Sequence, residues 1–144
     1  MTIEIKQDSV MNGFQNIEDT LDKAQFTKHK STKVGFDTNN TVEKAFKKIE
    51  EEFNELKAEV ELYLKNNSID ITNIKKEMGD LLFSTSGLAN QLNFKTKDCL
   101  NMTIDKFLFK TCYVEDKLKE NGQNFSNGSI EQMCDWWREA KKFM

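Results

Sequence analysis

The sequence predicts an all-α fold, a helical bundle of about five helices. Three observations carry the fold class. Proline is absent and only six glycines occur in 144 residues, too few turn-formers for a fold of many short strands. Apolar residues make up 38% and charged residues 31%, the balance of amphipathic helices with solvated outer faces. Apolar residues also recur at steps of three and four along the long segments. The length is that of a single domain, 1–144 with 1–20 as a less defined leader helix, long enough to bury a core unaided.

The first helix is expected from about Ser9 to Lys30, with Phe14, Ile17, Leu21, Ala24 and Gln25 at helical spacing. A polar break follows, Lys33-Val34-Gly35-Phe36-Asp37-Thr38-Asn39-Asn40, and Asn40 or Thr41 caps the next helix. That second helix runs from about Val42 to Lys65 on the stripe Phe46, Ile49, Phe53, Leu56, Val60 and Leu64. At 100° per residue, Lys48, Glu52, Glu55 and Glu59 gather on the flank of this stripe, where a charged site is half buried.

Asn66-Asn67-Ser68 makes a turn. The third helix, about Asp70 to Asn93, is expected to bury Ile74, Met78, Leu81, Thr85, Leu88 and Leu92, with Glu77, Asp80 and Ser84 flanking them. Gly79, between the two acids, either admits a close neighbour or is a tolerated defect costing about 1 kcal/mol relative to alanine. The fourth helix, about Thr96 to Asn121, carries Leu100, Phe107, Cys112 or Val114, and Leu118. Glu120 to Gly128 is a loop, and the capping-box pattern Ser129-Ile130-Glu131-Gln132 opens a last helix holding Met133, Trp136, Trp137 and Ala140.

Composition excludes several classes. A net charge of −3 with dispersed basic residues gives no groove for a nucleic-acid polymer. The N-terminus lacks an apolar signal core and no stretch reaches the length of a membrane span. Cys99, Cys112 and Cys134 are odd in number and form no CxxC, so they read as small buried hydrophobes of a reduced, cytoplasmic chain. One histidine, His29, builds no Cys/His metal cluster, and no GxSxG elbow supports a serine nucleophile.

The acids are more informative. Glu51-Glu52-x-x-Glu55 and Glu77-x-x-Asp80 each place carboxylates three apart, on one side of a helix. Packed side by side, the two helices would pool four carboxylates, hard ligands suited to Mg²⁺ or Mn²⁺, and Mg²⁺ usually arrives with substrate phosphates. The bland alternative is a solvated face: Glu50-Glu51-Glu52 amid Lys44, Lys47, Lys48 and Lys57 is ordinary exposed-helix composition. Glu77 and Asp80 resist it, being the only acids between Ile74 and Leu92, where burial without a partner is costly. Lys106, Lys110 and Lys141 read equally as solvated side chains, and one of Trp136 and Trp137 as core.

These residues resemble the MazG-type nucleoside triphosphate pyrophosphohydrolases of the all-α NTP pyrophosphatase superfamily. The landmarks come in order over about Ala24 to Lys142: Val34-Gly35-Phe36-Asp37; Lys48 with Glu51-Glu52-x-x-Glu55; Glu77-Met78-Gly79-Asp80-Leu81-Leu82-Phe83; Lys106-Phe107 with Lys110; and Trp137 with Ala140-Lys141. The resemblance implies that Glu52, Glu55, Glu77 and Asp80 hold Mg²⁺, with Glu51 an extra ligand or base. It implies that Lys48, Lys106, Lys110 and Lys141 contact an NTP substrate cleaved to NMP and pyrophosphate, and that Trp137 walls the site. Thr38, Ile104, Lys110 and Asn73 stand where the family commonly has Trp, Asn, Arg and Lys, departures that bear on base preference and remove no metal ligand. Longer members carry two tandem copies; this chain matches one. A single copy has few helices with which to cover the acids, so a homodimer is expected, with a tetramer as the larger alternative. A narrow dUTP or dCTP pyrophosphatase is the nearest rival, and a non-catalytic helical interaction protein the rival from another class.

Overall fold

Five α-helices account for most of the computed structural model, which describes residues 1–66 and 70–144. They are α1 (Thr20–Lys33), α2 (Val42–Asn66), α3 (Thr72–Gln91), α4 (Thr96–Glu120) and α5 (Ile130–Glu139). No strand occurs among the described residues, so the expected all-α class holds. The turn expected at Asn66-Asn67-Ser68 lies, from Asn67 on, outside the described residues. The chain forms two compact units, Met1–Lys97 and Asp98–Met144.

In the first unit α3 packs against both α1 and α2. The first helix begins later than the periodicity suggests. Upstream, hydrogen-bonded turns lead into one short 3-10 helix, Phe14–Asn16, bounded by Gly13, left-handed at φ 105°, and by Ile17, which is extended. Asp19 then starts α1, its carboxylate accepting the Asp22 N–H at 2.9 Å. At the other end the chain turns through Gly35 (φ 80°), and the Phe36 and Asp37 N–H groups both donate to the Ser31 carbonyl. Thr41 caps α2, accepting the Lys44 N–H at 3.1 Å.

That turn carries Asp37 back onto α1, where it forms an ion pair with Lys28. Both side chains are about nine-tenths buried. The Lys28 ammonium also stands 5.5 Å from the Phe83 ring centroid of α3, and its stem fills the space a Cβ on Gly87 would need, 2.9 Å from Cε. Further along, the Gln25 side-chain amide donates to Asn90 Oδ1 and Asn90 Nδ2 donates to the main-chain carbonyl of Gln25, tying the same two helices.

The buried positions of α2 and α3 differ from the expected stripes. Ala45, Glu52 and Leu56 are buried on α2, and Ser84, Ser86, Gly87 and Ala89 on α3. Phe46, Phe53 and Leu64, and Met78 and Leu92, are exposed instead. On α3, flanked by α1 and α2, the buried positions are small residues, through which helices approach closely; α2 packs against α3 on one side, and Phe46, Phe53 and Leu64 lie off that contact.

The second unit holds most of α4, then α5 and a closing 3-10 turn, Ala140–Phe143. Ser129 caps α5 as expected, accepting the Gln132 N–H at 3.4 Å. Lys110, Val114 and Leu118, four apart, are the buried line of α4, and Ala140 is fully buried. Of the two alternatives left open on α4, Val114 is buried and Cys112 is exposed. Cys99 and Cys134 are exposed too, contrary to the expectation of buried cysteines, since the α4 line passes neither Cys99 nor Cys112 and α5 buries no residue. No helix among the described residues is long and apolar enough to cross a membrane.

Candidate functional site

The first unit brings three of the predicted acids together. Glu52 and Glu55 of α2 and Glu77 of α3 each offer one carboxylate oxygen, and these oxygens lie within 4.8 Å of one another. The group grades in depth: Glu52 is buried (7% exposed), Glu77 half-buried and Glu55 exposed. The sequence dictates this locally. Glu52 and Glu55 sit three apart on α2, and Glu77 stands on the helix that packs against it. Glu51 and Asp80 are exposed and outside the three-oxygen group. Gly79 faces open space within the chain, so no neighbouring side chain or backbone requires a glycine there.

Charge at this place is only partly compensated. Lys48, one turn back on α2, puts its ammonium 2.8 Å from Glu52 Oε1 and 3.7 Å from Glu51 Oε2. Its hydrogen bond to Glu52, helped by the neighbouring carboxylates and opposed by burial, raises the Lys48 pKa. Glu52 Oε2 and Glu77 Oε2 are buried with no hydrogen-bond partner. The charge of Glu52, then lost hydration and Glu77, hold the Glu55 carboxyl above its usual range. Buried carboxylate oxygens are normally satisfied, and two left open beside a third acid form a hard-oxygen set that fits Mg²⁺ or Mn²⁺. An exposed acidic face of an ordinary helix would not bury Glu52.

The second unit gathers the other predicted residues. Lys110 is buried, its ammonium 5.2 Å from the Trp137 ring centroid, and Phe107 meets that ring edge-on at 4.9 Å. Burial first, then the charges of Lys141 and Lys106, depress the Lys110 pKa. Crowded cations of this kind favour an anion among them. Behind Phe107 and Trp137 lies an apolar cleft of about 350 Å³, walled also by Val114, Phe125, Ile130 and Met133. The buried Lys28–Asp37 pair had no signal in periodicity: Asp37 was visible only as part of a motif, and Lys28 not at all.

Residues 33–135 match the family model described as the IREH1-like domain. The chain belongs to the IREH1-like domain family. Among curated relatives of this IREH1-like chain, the nucleoside triphosphate pyrophosphohydrolase/pyrophosphatase MazG of Thermotoga maritima is 28% identical over 136 residues, covering 94% of this chain and 49% of that protein. The nucleoside triphosphate pyrophosphohydrolase of Escherichia coli is 27% identical over 139 residues, 94% of this chain and 50% of that protein. The protein YabN of Bacillus subtilis is 37% identical over 70 residues, 49% of this chain and 14% of that protein. The chain therefore spans half or less of the length of these relatives. The resemblance to MazG-type proteins read from the motifs holds across nearly the whole IREH1-like chain.

Proposed function

We propose that this chain hydrolyses nucleoside triphosphates to the monophosphate and pyrophosphate, with a divalent cation, Mg²⁺ or Mn²⁺, held by Glu52, Glu55 and Glu77. The observation that carries the reading is the buried Glu52 carboxylate with one unpartnered oxygen, meeting acids from two helices. When bound, the cation supplies charge neutralisation for the triphosphate and makes the hydrolytic water more acidic. Asp80 lies one turn beyond Glu77 and serves as a further ligand, and Glu51 as an extra ligand or base. In the second unit, Lys110, crowded by Lys106 and Lys141 and standing over Trp137, is by the MazG-type resemblance a contact for an anionic substrate group, with Lys106, Lys141 and Trp137 beside it. The names of the MazG relatives, matched over 94% of the chain, support the same reaction. The role is control or sanitation of a nucleotide pool in a cytoplasm.

The active unit is a homodimer. Phe46 and Phe53 on α2 and Met78 and Leu82 on α3 are exposed on the helices that carry the acids. A second copy laid over these side chains would bury them and cover the acids from the open side.

The test is a panel of NTPs and dNTPs incubated with Mg²⁺. Pyrophosphate, not orthophosphate, is the expected product. Glu52→Gln and Glu77→Gln should lower turnover at least about a hundredfold while helicity by circular dichroism is unchanged. Full activity in both variants would remove the site assignment. A panel in which no nucleotide is consumed with Mg²⁺ or Mn²⁺ would favour a non-catalytic interaction protein.

A further inference from the structure

We infer that Lys48 is a positioning residue that orients Glu52, holding one carboxylate oxygen so that the other stays free for a divalent cation. The inference rests on the metal reading of the acids above. The geometry is specific. The Lys48 ammonium is 2.8 Å from Glu52 Oε1, and Glu52 Oε2, on the same carboxylate, is buried and has no hydrogen-bond partner. The Glu52 side chain is 9% exposed, so neither oxygen is turned by bulk water, and its orientation is decided by what grips Oε1.

Two roles compete for such a lysine. As a tethered counter-ion it would occupy the place of the cation and be expelled on binding, and removing it would tighten metal binding. As an orienter it keeps its contact, and removing it lets the carboxylate swing or take both oxygens elsewhere. The structure favours the second, because the lysine engages one oxygen and leaves the buried one untouched. Partners that orient a ligating group commonly contribute about tenfold to a hundredfold in metal affinity. Lys48 is a third exposed and also reaches Glu51 at 3.7 Å, so its stem is anchored on α2 itself and needs no help from another element. A lysine spent in this way contributes to the site through Glu52 before any substrate arrives.

The experiment is calorimetric titration of Mg²⁺ and of Mn²⁺ into the full chain without nucleotide, with folding monitored by circular dichroism. Lys48→Met should weaken binding about tenfold or more relative to the unsubstituted protein, and Lys48→Arg, which keeps the ionic contact, should stay within about threefold. Lys48→Gln retains a donor without the charge and should fall between them; it also serves if the methionine variant folds poorly. Binding by Lys48→Met or Lys48→Gln as tight as, or tighter than, the unsubstituted protein overturns the inference alone. So does a Lys48→Arg variant as weak as Lys48→Met. An unsubstituted chain that binds neither ion overturns both this inference and the metal reading beneath it.

Discussion

Glu55 stands where three carboxylates converge, and its proton affinity reports that crowding. The Glu52 charge is the main cause that raises its pKa, followed by lost hydration and Glu77. A carboxyl whose folded pKa exceeds its unfolded value binds its proton more tightly in the folded chain than in the unfolded one. Acidification through that range therefore stabilises the fold, and ionisation at neutral pH works against it. Metal-free Glu55→Gln should accordingly melt above the unsubstituted protein at neutral pH, and the two melting temperatures should converge as pH falls below the ordinary glutamate range. A variant that melts lower at neutral pH would contradict the repulsion. Asp37 has the opposite sign. Burial opposes its ionisation, yet the Lys28 hydrogen bond and charge, together with the Asn39 N–H, outweigh it and lower the pKa. The stability it contributes is complete above the unfolded aspartate pKa and is lost as pH falls through the lower folded one. Asp37→Asn leaves Lys28 buried without its counter-charge and should cost of order 3 kcal/mol in denaturant unfolding at pH 7.

At the scale of elements, two glycines of α3 make opposite predictions. Gly79 faces open space, so Gly79→Ala should stabilise the helix by about 0.5–1 kcal/mol in unfolding measurements through reduced backbone entropy. Gly87 lies against the Lys28 stem, whose far end is held by Asp37 and stands over Phe83. A methyl there meets Cε at 2.9 Å, and the lysine has no easy way to yield. Gly87→Ala should therefore destabilise by about 1–3 kcal/mol. In a Lys28→Ala background the same change should become neutral or stabilising, which a double-mutant cycle reads directly. Because α3 also carries Glu77, this contact with α1 fixes the helix that supplies one of the three clustered acids.

For the molecule as a whole, the exposed aromatic side chains of α2 make the oligomeric state the decisive measurement. Light scattering after gel filtration should give a mass twice 16.8 kDa, and Phe53→Glu should halve it and reduce pyrophosphate release. A monomer that turns over nucleotide at an undiminished rate would refute the dimer. The sequence alone determined the places of α2 to α5 and the spacing of the acids, though not the start of α1, since a 3.6-residue period and capping residues such as Ser129 and Thr41 act within a few residues of themselves. Glu52 and Glu55 were placed on one side of α2 by that period alone. Depth was different. Glu52 is buried and Asp80 is exposed, although both were expected to hold the metal equally. Phe53 is open to solvent where a core residue was expected. Lys28 found Asp37 only because Gly35 turned the chain back on α1. Burial is a property of what lies opposite a residue, and the packing of α3 against α1 and α2 decides that, which no local spacing encodes.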